Sequence, residues 1–110
     1  MKIQILKYNS VDSTNNVAIR RIKKGKVKPT LIIANLQKKG KGQYGRKWVS
    51  YKGNIFMTIY FNLERNIGIK SLSKKIYKLL KKSLEKFVSE KITIKLPNDL
   101  LIKGYKVCGI

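Results

Sequence analysis

Thr30-Leu31-Ile32-Ile33-Ala34-Asn35-Leu36-Gln37, followed by Lys38-Lys39-Gly40-Lys41-Gly42-Gln43-Tyr44-Gly45-Arg46-Lys47-Trp48, is the stretch on which the fold turns. Its first half is a short apolar run rich in branched side chains, bounded by Pro29 and a glycine cluster, and predicts a buried strand over 30–37. Its second half contains Gly40-Lys41-Gly42-Gln43-Tyr44-Gly45, a match to the G-x-G-x-x-G of dinucleotide-binding folds. That fingerprint requires a helix starting on the glycines, so that free N–H groups and the helix dipole hold a pyrophosphate. Here Trp48, Val49, Ser50 and Gly53 lead into another strand instead, and no G-K-[ST] is present to make a Walker loop. What remains is a flexible glycine loop between two strands, flanked by Lys38, Lys39, Lys41, Arg46 and Lys47. Such a loop suits a polyphosphate, because glycines let backbone approach an anion and fixed cations stabilise charge on non-bridging oxygens; a solvated basic hairpin is the plainer alternative.

Upstream, residues 3–8 (IQILKY) alternate as a strand, and Asp12 or Ser13 offers an N-cap for a helix turning Ala18, Ile19 and Ile22 inward and ending at Gly25. Downstream, residues 54–62 predict a strand with Ile55, Met57, Ile59 and Phe61 on one face and Phe56, Thr58 and Tyr60 on the other, both at least partly covered. Leu72, Ile76, Leu79, Leu80, Leu84, Phe87 and Val88 recur at helical spacing, with lysines mainly between them, which predicts an amphipathic core helix. Residues 91–96 place Ile92, Ile94 and Leu96 on one face of a half-buried strand, and Pro97-Asn98-Asp99 turns it. A hairpin follows: strand 100–102, a turn at Lys103-Gly104, and a last strand from Tyr105 that reaches Ile110 still apolar and unpartnered. The order is strand, helix, strand, glycine loop, strand, helix, strand and hairpin, which one mixed α/β domain accounts for.

With 110 residues, a hydrophobic fraction of 43% and two prolines, a single folded domain is expected. Lys+Arg 26 against Asp+Glu 5 gives a formal charge of +21, enough to attract polyanions whatever the fold. The excess is mostly lysine scattered over every segment, as codon bias would produce, and no helix-turn-helix or aromatic platform accompanies it. One cysteine, Cys108, and no histidine exclude an intrachain disulfide, a zinc cluster and a histidine-based triad. No stretch is apolar for long enough to be a signal peptide or a membrane span, so a cytoplasmic protein is expected.

Three stretches together resemble the biotin protein ligase family. They are Asp12-Ser13-Thr14-Asn15 at a helix start; Gln37 with Gly40-Lys41-Gly42-Gln43-Tyr44-Gly45-Arg46-Lys47-Trp48 and Ser50; and Lys95-Leu96-Pro97-Asn98-Asp99 with Lys106 and Gly109-Ile110. The last two are similar to the family's Q-x-x-G-R-G-R-x-G-R-x-W-x-S and to its K-W-P-N-D followed by a lysine and G-I-L. The resemblance covers nearly the whole chain. It implies the fold shared with class II aminoacyl-tRNA synthetases, a mixed, largely antiparallel sheet with helices on one side. It implies an enzyme that joins biotin to AMP from ATP, with magnesium assisting, and then transfers biotin to a lysine of a biotin carboxyl carrier protein.

By that resemblance Ser13, Thr14, Asn15, Gln37, Gly40, Lys41, Gln43, Lys106 and Gly109 would contact biotin, while Gly42, Gly45, Arg46, Trp48, Asn98 and Asp99 would serve the nucleotide. Lys106 and Arg46 would be the catalytic cations, Lys106 at the carboxylate and α-phosphate. Ser13 and Thr14 are equally explained as helix caps, Trp48 as a core anchor, Asn98-Asp99 as an ordinary turn and Lys95 as a solvated lysine; Cys108 has no implied role. Lys41 replaces an arginine and lacks its bidentate fork. Gln43 stands where the family usually has a second arginine. Losing that contact would cost roughly 1.5–3 kcal/mol and make the adenylate leakier, which equal adenylate off-rates for the natural sequence and Gln43→Arg would disprove.

The resemblance makes residues 1–110 the N-terminal part of such a catalytic domain, with no winged helix before it and no C-terminal β-barrel, so the sheet is expected to be incomplete. Either a gene fragment or a domain completed by a second polypeptide would have this form. An active ligase, an inactive or partner-dependent fragment, and a basic nucleic-acid-binding domain are the three readings, with a lipoate ligase as a neighbour on the same fold. The motifs favour biotin, and neither a membrane nor a specific nucleic acid is expected as partner.

Overall fold

The computed structural model describes residues 2–110. The chain divides after Leu63 into two compact units, where the sequence suggested one. In the first, β1 (Gln4–Val11), α1 (Thr14–Lys23) and β2 (Thr30–Gln37) form a βαβ unit, and β5 (Phe56–Tyr60) completes the sheet. The strand order is β1-β2-β5, with β1 parallel and β5 antiparallel to β2. Between β2 and β5 the glycine stretch is a small hairpin, β3 (Gly40–Lys41) paired with β4 (Lys47–Trp48) around a single 3-10 turn at Gln43–Gly45. The strand expected over 30–37 is observed as such. The first strand runs three residues further than expected, and its ladder continues past β2 through Lys38 N–H to Val11 O at 2.9 Å and Lys39 N–H to Asp12 O at 2.7 Å.

Ser13 is the residue that caps α1, with extended backbone and its Oγ accepting from Asn16 N–H at 3.0 Å. The helix ends before Gly25, whose φ of 76° is the left-handed conformation that a terminating glycine accepts without strain. α1 packs on β2 and β5 through Val17 and Ala18, which meet the fully buried Ile32. Ile19 and Ile22, expected to face inward, are exposed. The buried stripe runs Thr14, Val17, Ala18, with the half-buried Arg21 one turn on, and the two isoleucines lie one step round the helix from it. Arg21 donates through Nε to the Tyr60 hydroxyl at 3.1 Å, and that hydroxyl donates to Lys26 O at 3.0 Å. Burial pushes the Tyr60 phenol up, but hydrogen bonds with Thr30 and Arg21 and the charges of Arg21 and Lys26 bring it below its usual value.

On β5 only one face is covered. Phe56, Thr58 and Tyr60 share the α1 side with their partners Ala34, Ile32 and Thr30, while Ile55, Met57, Ile59 and Phe61 are exposed. The expectation of two covered faces fails because the described helix of this unit packs on one side of the sheet alone.

The second unit comprises α2 (Ile69–Glu85), β6 (Ile92–Lys95), β7 (Asp99–Ile102) and β8 (Tyr105–Gly109), in an antiparallel sheet of order β6-β7-β8. Lys103 and Gly104 have φ of 51° and 81°, the two positive values of a type I′ turn, and a bulge sits between Leu100 and Leu101. α2 packs against β6, and Tyr77, Ile92 and Leu100 are the buried apolar residues of the unit. Leu79 and Phe87, expected inward, are 65% and 84% exposed. Leu79 lies about 120° round from the stripe of Ser73, Tyr77, Leu80 and Leu84, and Phe87 falls after the helix has ended. Leu96 is exposed as well, one residue beyond the end of β6. Among the described residues no helix is long and apolar enough to cross a membrane.

Candidate functional site

The N-terminus of a helix leaves its first N–H groups without intrahelical partners. In α1 the side chain of Gln37, at the end of β2, meets that need: its Oε1 accepts from Thr14 N–H at 2.8 Å and lies 3.2 Å from the Thr14 hydroxyl. Thr58, on the helix-facing side of β5, places its hydroxyl 2.8 Å from Thr14 Oγ1 and 2.5 Å from Asn15 Oδ1. A hydroxyl carries one proton, so these contacts form a relay in which Thr58 donates to one neighbour and accepts from the other. Ser13 and Thr14 are buried. Capping and site-building are thus combined in the same residues.

The β3–β4 hairpin is tied to this cluster at its base. A Cβ on Gly40 would lie 2.7 Å from Trp48 O, 3.1 Å from Gln37 Nε2 and 3.3 Å from Ser50 Oγ, so only glycine fits between them. Gln37 Nε2 itself reaches Ser50 Oγ at 3.4 Å. The strand pairing places Lys41 beside the helix start, where Ser13, Asn15, Asn16, Ile19, Gln37 and Lys41 line a cavity of about 300 Å³. Ile19 therefore supplies an apolar wall to this cavity and not to the core. Gly42, whose N–H donates to Arg46 O at 2.7 Å, closes the turn. Gln43, Gly45 and Arg46 are exposed at the hairpin tip, and Tyr44 between them has a φ of 57°. Trp48 is partly exposed at the hairpin's end.

Next to the cap, Asp12 accepts from Asn16 Nδ2 at 3.0 Å and from both terminal nitrogens of Arg20 at 2.7 and 2.9 Å. The Arg20 guanidinium holds the Asp12 carboxyl well below the usual carboxylate range, against the opposing push of burial. Sequence reasoning singled out neither Asn16 nor Arg20. The one available signal was their i+4 and i+8 spacing from Asp12. Thr58 was assigned to a face but not to the site; its period-of-two partners Phe56 and Tyr60 marked that face, and only the β2–β5 register brings it to Thr14.

In the second unit Asn98, Asp99 and Gly109 lie at the open end of the β7–β8 hairpin, and Lys106, the cross-strand partner of Leu101 near the turn, reaches Asp99 with its side chain. Lys106 Nζ and Asp99 Oδ1 form an ion pair of 2.8 Å, with about one third and one fifth of the respective side chains exposed. Gly109 is the cross-strand partner of Asp99, Lys95 is its partner on β6, and Ile110 N–H donates to Asn98 O at 2.9 Å. Alternation along β6 and β7 puts Lys95 and Asp99 on the face opposite to buried Ile92 and Leu100. Burial pushes the Cys108 thiol up, with the Asp99 charge adding to it and Lys106 opposing. Among the described residues no group of three or more cysteines, aspartates or glutamates is placed to hold a metal ion.

Hydroxyls and amides around a small cavity suit a neutral, hydrogen-bonding ring, and a positioned ammonium suits developing negative charge. Comparison with known proteins points the same way. A family model described as "Biotin/lipoate A/B protein ligase family" matches residues 8–110. The bifunctional ligase/repressor BirA of Escherichia coli is 34% identical over 103 residues, covering 91% of this chain and 32% of that protein. Its Salmonella typhimurium counterpart is 33% identical over the same length. Among solved structures, the biotin protein ligase from Aquifex aeolicus in complex with biotin and ATP superposes with a TM-score of 0.82 at 26% identity, over 96% of this chain and 44% of that one. The biotin acetyl coenzyme A carboxylase synthetase from Helicobacter pylori gives 0.79 at 24% identity, over 96% and 52%, a likeness of fold. The chain thus spans about a third of the length of the curated relatives it matches.

Proposed function

The chain belongs to the biotin/lipoate A/B protein ligase family, and on that premise we propose that it activates biotin with ATP to biotinyl-5′-AMP and passes biotin to a lysine of a biotin carboxyl carrier protein. The observation that carries this reading is the convergence of Gln37, Thr14 and Gly40 beside a cavity also lined by Ser13, Asn15 and Lys41. A ureido ring offers one carbonyl acceptor and two N–H donors. Gln37 Nε2, and the oxygens of Ser13 and Asn15, are complementary to it, while Ile19 supplies apolar contact to the ring's carbon skeleton. The Aquifex aeolicus relative, solved with biotin and ATP, supports the same assignment.

In the activating step a biotin carboxylate oxygen attacks the α-phosphorus of ATP, and the bond to pyrophosphate breaks. In the transfer step the carrier lysine amine attacks the acyl carbonyl, AMP leaves, and the amine gives up a proton. Lys106 stabilises negative charge on the carboxylate and α-phosphate, and its pairing with Asp99 fixes where the ammonium sits. Asn98 and Asp99 serve the nucleotide. Asp99, the one carboxylate on this hairpin, would be the residue to hold a magnesium ion, which would supply neutralisation of charge on the ATP phosphates. Arg46, Gly42 and Gly45 contribute cations and close backbone approach from the hairpin, and Trp48 an aromatic face for adenine.

Calorimetric titration of biotin into the chain, with and without ATP and magnesium, tests the proposal. Binding and a raised melting temperature are expected, with affinity falling about tenfold in Gln37→Leu, the loss of one or two hydrogen bonds. Lipoate titrated in the same way should not bind. If biotin neither binds nor shifts the transition, the family relationship records ancestry and not activity in this chain.

A further inference from the structure

β1 is an edge strand, and α1 packs on β2 and β5, so a groove is left between β1 and the outer flank of the helix. It has a volume of about 410 Å³ and lies apart from the Gln37 cavity, on the other flank of α1. Four cations line it, Arg20, Arg21, Lys24 and Lys26, against a single carboxylate, Asp12, which Arg20 already neutralises through two hydrogen bonds. Both guanidiniums are held in place, Arg20 by Asp12 and Arg21 by Tyr60 and Gln4. Among the described residues neither Lys24 nor Lys26 makes an ion pair. Tyr8 on β1 is 36% exposed and adds an aromatic surface to the same groove.

Anchored guanidiniums, unpaired ammoniums and an aromatic ring in one groove are the elements that hold a single strand: cations track the phosphates and the ring stacks a base. We infer that the β1–α1 groove binds the phosphodiester backbone of single-stranded nucleic acid without reading its sequence. This binding is independent of the ligase reading, since it uses none of the residues assigned to biotin or nucleotide. An acidic peptide would engage the cations but gain nothing from the ring. The chain's overall charge of +21 would attract any polyanion diffusely, and the groove adds a localised component that substitutions can separate from it.

The test is fluorescence anisotropy with a fluorescein-labelled ten-nucleotide oligo-dT at several salt concentrations. Each phosphate contact to a single strand contributes about 0.7 to the slope of log K against log salt. Lys24→Gln/Lys26→Gln should therefore lower the slope by about 1.4. A control pair of exposed α2 lysines, Lys74→Gln/Lys78→Gln, should leave it unchanged. Tyr8→Ala should weaken binding at every salt concentration without altering the slope. Thermal melts of each variant confirm that the fold is retained, and Lys24→Arg/Lys26→Arg, which keeps the charges, should restore the slope. Equal slope changes in the two lysine pairs would overturn the inference in favour of diffuse attraction. Failure of the oligonucleotide to bind would overturn it outright, and so would polyglutamate of matched charge competing as well as oligo-dT.

Discussion

The two units carry candidate site residues of opposite physical character. At the start of α1 they are hydroxyls and amides bonded to one another, with Ser13 and Gln37 accepting from the free N–H groups of Asn16 and Thr14. On the β7–β8 hairpin they are an ammonium and a carboxylate on the sheet face opposite the buried residues. The first arrangement is rigid because every member has a structural duty. The second is a charged pair largely covered from solvent, with Asp99 Oδ1 itself buried, so removing one partner strands the other. Substitutions in the first unit should therefore register in folding as well as in binding, and those in the second in chemistry first, with a stability cost where one charge of the pair is left alone.

Lys106→Ala is the sharpest probe of that contrast. Loss of a charge aimed at a developing anion should lower the rate of adenylate formation by about 10²–10³-fold, with a smaller loss of stability from the stranded Asp99 carboxylate. A loss of activity no greater than the loss of folded protein would show that the pair is structural and break the comparison. Gly40→Ala acts on the other side. The new Cβ would meet a backbone oxygen at 2.7 Å, so a loss of about 1–3 kcal/mol is expected in denaturant unfolding, together with weaker biotin binding, since the hairpin base must shift against Gln37.

Ser13→Ala removes the acceptor for Asn16 N–H and should cost about 1 kcal/mol of stability, measurable by the same unfolding curves. Ser13→Asp, which keeps the cap, should recover the stability but not the biotin affinity. The smallest effect is that of Asp12. Its carboxyl titrates lower in the folded chain than in the unfolded one, so its contribution is fully present above the ordinary carboxylate range and is lost as the pH falls through the folded value. Asp12→Asn should therefore lower stability modestly at pH 7 and flatten the acid limb below about pH 4, the two proteins converging as the pH falls. An unchanged acid limb would mean that the Arg20 pairing persists in the unfolded chain.

Much of the molecule was legible in the sequence where a local pattern had one physical meaning. The apolar run 30–37, bounded by proline and glycine, had no alternative to a strand, and Lys103-Gly104 supplied the two positive φ values of its turn. The motif residues Ser13, Thr14, Gln37 and Gly40 could be named, but not their bonds. Faces were harder. Ile19, Ile22, Leu79 and Phe87 are as apolar as the residues that are buried, and periodicity gives the width of a stripe more reliably than its centre. Thr58 carried no sequence signal of a role, since its contact with Thr14 spans 44 positions.

The sequence by itself determined the order of elements, the exclusion of a histidine-based triad, an intrachain disulfide and a zinc cluster from these residues, and the family, because each depends on residue identity and near spacing. Only the tertiary structure decided that Gln37 completes the first turn of α1, that Gly40 has no room for a side chain, and that Lys106 is paired with Asp99. Those facts depend on strand register. A shift of one residue turns each side chain to the other face, and register is set by the packing of whole strands and not by any residue within them.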